Sequence, residues 1–206
     1  MIRALVLDYG NVISEPQDTT CYDRMSDLSK LPVDHFRTSF SKYRSEFDRG
    51  TIDGVSMYKK ILADGKRYYI GTESTDLAEQ LLHEDFSAWF HISKNVTKWA
   101  LDIQKEGFKL GILSNMPHEF LDLYETKITL FQEADIAIFS CREGIIKPEP
   151  AIYEITAQKL NCEPHEIVFF DDLQANIDAA LAAGFKAFLW TGIDQAQKDW
   201  NTAISS

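Results

Sequence analysis

Five short apolar runs punctuate this sequence: Ile2 to Leu7, Lys109 to Leu113, Ile136 to Phe139, Ile167 to Phe170 and Lys186 to Trp190. Each is too short for a helix, and most are rich in Val, Ile or Phe, the composition of buried strands. Between the later runs lie helix-spaced stripes. Phe120, Leu121, Leu123, Tyr124 and Ile128 form one, and Ile152, Tyr153, Ile155 and Leu160 another. A small-residue helix over Ala175 to Ala183 ends at Gly184, the usual position for a terminating glycine. Strands that are apolar on both faces and alternate with helices must be covered on both sides. The expected fold is therefore α/β, a doubly wound parallel sheet of Rossmann-like character.

One long interruption breaks the alternation. From about Glu15 to Ser93 no strand pattern is evident, and amphipathic stretches such as Asp34 to Phe40 and Leu77 to Leu82 take its place. Arg49 to Gly54, with two glycines, reads as a turn between helices. The expected organisation is a core of residues 1–14 and 94–206 with a helical insertion, 15–93, above the sheet. A helix over Lys94 to Lys105, followed by Gly107, returns the chain to the core. The aromatics of the insertion, including Phe36, Phe40, Tyr43, Phe47 and Tyr58, are expected mostly in its core, with one or two available to line the mouth of a site; Tyr68-Tyr69 and Trp89-Phe90 have the same two readings, core being favoured.

Composition narrows the function classes. The chain has 206 residues, 45% of them hydrophobic, enough for a sizeable core. Against 32 Asp and Glu stand 21 Lys and Arg, a formal charge of −11. That balance argues against a nucleic-acid or anionic-membrane surface and requires local positive charge wherever an anion binds. Cys21, Cys141 and Cys162 have no metal-like spacing and read as buried free thiols in a reducing compartment. The five histidines lack the spacing of a zinc helix. With no apolar run of membrane-spanning length and no secretory leader pattern at Met1 to Asp8, the expectation is a cytoplasmic monomer or weak homodimer.

Ligands of open α/β sheets bind beyond the carboxyl ends of the strands, so the residues closing each run carry the functional information. The first run ends in Asp8, the second in Ser114-Asn115 and the fourth in Asp171-Asp172, while Lys147 sits between the third and fourth beside Pro148. A parallel sheet brings these ends to one edge. Three converging carboxylates repel unless a cation lies among them or some are protonated, and a hard divalent ion such as Mg²⁺ suits an all-oxygen set. Lys147 is then placed to hold a nucleophilic carboxylate and a phosphoryl oxygen together, with Ser114 and its neighbouring amide donating to other phosphoryl oxygens. This is equipment for phosphoryl transfer through an aspartyl phosphate. Blander roles exist for each residue: Ser114-Asn115 as a helix cap before Pro117, Lys147 as a solvated loop lysine, and Asp171-Asp172 as acids at a helix start.

In this order and spacing, Asp8, Ser114, Lys147 and Asp171-Asp172 with Asn176 resemble the haloacid dehalogenase superfamily over essentially the whole chain. The resemblance implies Asp8 as nucleophile, and Ser114 and Lys147 on the phosphoryl group. It also implies Mg²⁺ held by Asp8, the Gly10 carbonyl and the acidic pair, with Asp172 the direct ligand and Asp171 behind it. The insertion looks like the family's helical cap, which sets substrate choice. Asn176 is expected to orient the acidic loop. The start Asp8-Tyr9-Gly10-Asn11-Val12 departs from the usual phosphatase pattern, which places a second Asp two residues after the nucleophile. That Asp supplies general acid–base catalysis, worth about 10²–10⁴-fold. Without it, leaving groups that need little protonation are favoured, such as those of sugar 1-phosphates, acyl phosphates or aryl phosphates, unless a cap residue such as Glu15, Tyr43 or Glu46 supplies the proton. The expected activity is a phosphatase on a small phosphorylated metabolite. A phosphate-ester sensor is the rival. A dehalogenase fits less well, because its relatives need no metal and lack the double acidic loop.

Overall fold

The computed structural model of the protein describes residues 1–65 and 74–205. Its centre is a parallel sheet of strands β1 (Ala4–Leu7), β2 (Lys109–Ser114), β3 (Ile136–Phe139), β4 (Ile167–Asp171) and β5 (Lys186–Leu189), in the order β3-β2-β1-β4-β5. Alternation along the strands sorts side chains into two apolar layers. Leu5, Leu7, Leu110, Ile112, Val168 and Phe170 join one cluster, and Ala4, Val6, Leu113, Ile138, Ile167 and Phe169 the other. Both faces are covered, which is why the strands read as unbroken apolar runs.

Between β1 and β2 come helices α1 (Cys21–Ser29), α2 (Val33–Asp48), α3 (Gly54–Asp64) and α4 (Thr75–Ser87), then α5 (Lys94–Lys105). After β2 lie α6 (His118–Tyr124) and α7 (Thr129–Glu133), and after β3 α8 (Ser140–Glu143) and α9 (Pro150–Leu160). Helix α10 (Gln174–Ala182) joins β4 to β5, and α11 (Ile193–Ser205) ends the described chain. Gly184 follows α10 with φ 92°, a conformation that suits glycine at a helix exit. The apolar stripe Phe120 to Ile128, which reads as one helix, is instead split. A 3₁₀ turn over Glu125–Lys127 and the extended, fully buried Ile128 separate α6 from α7. Tyr68 and Tyr69 lie outside the described residues. The three cysteines are buried and free, and no helix among the described residues is long and apolar enough to cross a membrane.

Residues of α2 and α4 share one cavity with Asp8, Ser114 and Asp172 at the strands' carboxyl ends. The chain enters and leaves this helical segment through paired backbone: Ser14 and Ile92 form an antiparallel bridge, Glu15 N–H donates to His91 O at 2.6 Å, and Ser93 N–H to Ile13 O at 2.9 Å. On the far side, the turn after α2 is tied to the core. Ser140 Oγ donates to Asp48 O at 2.5 Å, Gly54 N–H donates to Glu119 Oε1 at 2.6 Å, and the Arg49 guanidinium pairs with Glu149 and donates to Gly144 O. Gly50 in that turn has φ 76°, and a Cβ there would lie 2.8 Å from the His118 ring, so glycine is required by both conformation and space.

Candidate active site

Register explains which side chains meet. Leu7 pairs with Ile112 on one side and Phe170 on the other, so Asp8 stands level with Leu113 and Asp171; its N–H donates to Phe170 O at 3.0 Å. Lys147, 3% exposed, reaches into this row from the segment between β3 and β4. Its ammonium lies 2.7 Å from Asp8 Oδ1 and 2.6 Å from Asp171 Oδ2, and donates to Leu113 O at 2.9 Å. Sequestering an ammonium costs several kcal/mol, which only close opposite charge offsets. Burial alone would pull the Lys147 ammonium down, but Asp8 and Asp171 outweigh it and hold it above its ordinary range. Burial pushes the Asp8 carboxyl up to about 7, against the pull of Lys147.

Two amides fix the arrangement. Asn115 is locked to the Lys147 backbone in both directions, accepting from Lys147 N–H at 2.8 Å and donating to Lys147 O at 2.9 Å. Asn176 donates to both oxygens of Asp171, at 2.9 and 3.0 Å, and Leu173 N–H also donates to Asp171 Oδ1. With both oxygens so engaged, Asp171 is the anchor of Lys147. Asp172 is more open, and its Oδ2 accepts from Asn11 Nδ2 at 2.7 Å. Burial raises its carboxyl above the usual range.

Asp8, Asp171 and Asp172 each offer an oxygen, these atoms all within 4.8 Å of one another. This is the only such group of potential metal-ligating side chains among the described residues. An all-carboxylate set suits a hard divalent cation of the Mg²⁺ class. Burial is the main cause of the raised carboxyls of Asp8 and Asp172, with repulsion from the neighbouring carboxylates adding to it.

A cavity of about 280 Å³ opens above these groups. The sequence-predicted residues Asp8, Gly10, Ser114, Asn115, Lys147 and Asp172 all line it; Asp171, fully buried, lies behind Lys147. Ser114 belongs to β2, and α6 starts beyond Pro117 without a side-chain cap, so the capping role for Ser114-Asn115 does not apply. Glu15, Tyr43 and Glu46 are not among the lining residues. The Tyr43 hydroxyl donates to Asp64, and Glu46 pairs with Lys60.

The roof is made instead by residues with no distinctive sequence signal. Arg44 and Asp48, an i,i+4 ion pair at 2.6 Å on α2, join Asp85 and Phe86 of α4 and Trp89. The Trp89 ring lies beside Gly10: a Cβ on Gly10 would sit 3.4 Å from Trp89 Cζ3, an ordinary van der Waals contact. Trp89 is held there by Tyr9, whose hydroxyl donates to Trp89 O at 2.7 Å. Asn11, with φ 56°, completes the floor; besides donating to Asp172, it accepts from Gln17 N–H at the start of the helical segment. The Gly-Asn pair in the first motif is the sequence mark of that left-handed turn.

Residues 2–184 match the family model described as haloacid dehalogenase-like hydrolase. The chain belongs to that family. Among curated relatives, the bifunctional epoxide hydrolase 2 of Mus musculus is 26% identical over 206 residues, covering 91% of this chain and 36% of the relative. The chain thus spans about a third of that longer protein's length. A phosphatase of Mycobacterium tuberculosis is 21% identical, with 91% of this chain and 87% of the relative covered. Among solved structures, a family enzyme of Bacteroides thetaiotaomicron, determined with magnesium and inorganic phosphate, superposes with a TM-score of 0.74 at 17% identity. The match covers 96% of this chain and 98% of that one, a likeness of fold.

Proposed function

We propose that this haloacid dehalogenase-like hydrolase is a Mg²⁺-dependent phosphatase that cleaves a small phosphorylated metabolite through an aspartyl phosphate on Asp8. The observation that carries the reading is the buried Lys147 ammonium bridging Asp8 and Asp171 at 2.7 and 2.6 Å at the floor of the cavity. Lys147 fixes one oxygen of Asp8, so the nucleophile is oriented before substrate arrives, and it brings the positive charge that a phosphoryl group needs in a protein of charge −11. Asp8 and Asp172, with the Gly10 carbonyl, would hold Mg²⁺, which when bound supplies charge neutralisation for the phosphoryl oxygens. Asp171 positions Lys147 and Asn115 fastens the loop that carries it. Ser114, at the mouth of β2, is the hydroxyl available to a phosphoryl oxygen.

The helical segment 15–93 acts as a cap and closes the cavity from above. A cavity of about 280 Å³ has room for a phosphoryl group and a compact leaving group. The three gathered carboxylates favour a cation-assisted phosphate over halide displacement at carbon. Release of phosphate from p-nitrophenyl phosphate should require Mg²⁺, stop on adding EDTA and be lost in Asp8→Asn. Tight binding of phosphate esters without turnover would leave a sensor in place of an enzyme. A screen of phosphorylated metabolites by phosphate release then identifies the substrate.

A further inference from the structure

Cleaving an unactivated phosphate ester requires a proton for the departing oxygen and, later, a base for the attacking water. Gly10 has no side chain to supply either. The acids lining the cavity are Asp8, Asp48, Asp85 and Asp172. Asp8 and Asp172 belong to the floor, and Asp48 is committed as the carboxylate partner of Arg44 at 2.6 Å. Asp85 is different. It is 2% exposed, lies on the roof in the last turn of α4, and no ion pair within 4 Å holds it as a carboxylate among the described residues.

We propose that Asp85 is the proton carrier that position 10 lacks. In the first step an Asp8 oxygen forms a bond to phosphorus. The bond from phosphorus to the leaving oxygen breaks with its electron pair on that oxygen, which takes the proton of Asp85, and the alcohol departs. In the second step water attacks phosphorus and gives a proton to the Asp85 carboxylate. The Asp8–phosphorus bond breaks, its electron pair returns to Asp8, and inorganic phosphate leaves with Asp85 protonated again.

The surroundings of Asp85 suit the task. Arg44 and Asp48 face it from α2, Tyr58 from α3, Cys21 and Tyr22 from α1, and Trp89 from the chain beyond α4. Burial is the dominant influence and raises its carboxyl to about 6 against the pull of Arg44, so proton loss and gain are both accessible near neutrality. The Trp89 N–H, buried and without a hydrogen bond of normal geometry, stands beside this carboxyl.

The assignment rests on the phosphatase reading, and the test separates the two. Wild type, Asp85→Asn, and Asp85→Asn with Gly10→Asp are compared by kcat/KM on p-nitrophenyl phosphate, whose phenolate leaves without help, and on 2-glycerol phosphate, whose alkoxide does not. In Asp85→Asn the alkyl ester should lose about 10²–10⁴-fold and the aryl ester less than about tenfold. Adding Gly10→Asp should restore the alkyl ester. In wild type, kcat/KM for the alkyl ester should fall as pH rises above about 6 while the aryl ester does not follow. This profile serves if Asp85→Asn fails to fold. Equal losses on both esters, no restoration, identical pH profiles, or a wild type that cleaves only the aryl ester would each overturn the role of Asp85. No turnover of either ester by wild type with Mg²⁺ would overturn the phosphatase reading itself.

Discussion

Replacing Lys147 by methionine keeps the aliphatic stem and deletes the charge. The ammonium touches Asp8 at 2.7 Å, Asp171 at 2.6 Å and Leu113 O at 2.9 Å, all buried. Its loss leaves two carboxylates facing each other without a cation, and breaking a buried pair from one side costs about 3–5 kcal/mol. In a domain of this size 1 kcal/mol moves Tm by roughly 2–4 °C, so Lys147→Met should lower Tm by roughly 6–20 °C at pH 8. The pH dependence has a definite sign. The Asp8 carboxyl is already raised to about 7 by burial, with Lys147 the strongest influence lowering it, so in the variant it rises further above its unfolded value. A raised carboxyl penalises the native state where it must be charged, and the penalty fades as pH falls toward the unfolded value. The gap between wild type and variant should therefore narrow from pH 8 to pH 5. Thermal unfolding of both proteins in EDTA measures it; a gap at pH 5 as wide as at pH 8 would show that the loss is one of packing, not charge.

Mg²⁺ at a hundredfold excess over its Kd should stabilise the protein by about 2.7 kcal/mol, and Asp172→Asn should remove most of that thermal shift; an undiminished shift would exclude Asp172 as a ligand. Asn115→Ala removes both hydrogen bonds pinning the Lys147 backbone and should cost about 1–3 kcal/mol in urea unfolding, with a fall in kcat. Arg49→Ala cuts a partly exposed clamp to Glu149 and Gly144, so stability should change by less than about 1 kcal/mol, while hydrogen exchange in the turn after α2 quickens.

The sheet was readable because its strands are apolar on both faces, and its polar edge because Asp8, Ser114 and Asp171 end such runs. Lys147 was readable as the cation between a carboxylate and a phosphoryl oxygen, and the resemblance singled out Asp8 as the nucleophile. The roof was not readable. Asp48 and Asp85 sit on amphipathic helices among many other acids, and only packing against Arg44, Phe86 and Trp89 turns them from solvated surface into cavity wall. Nor does a linear pattern show that Asn115 spends its amide on the Lys147 backbone, since that bond spans 32 positions. Glu15, Tyr43 and Glu46 are the cap residues that the linear sequence offers as proton donors, and nothing in it points to Asp85. The difference is which face of each element packs inward.

The bridge between Ser14 and Ile92 makes the helical segment a cassette with a single doorway. Because its two ends are stapled side by side, lengthening or exchanging what lies between them adds little closure entropy and leaves the strand register below untouched. Under the proposed phosphatase activity, new leaving groups would be accommodated by rebuilding the roof alone, with the Asp8–Lys147–Asp171 floor left unchanged.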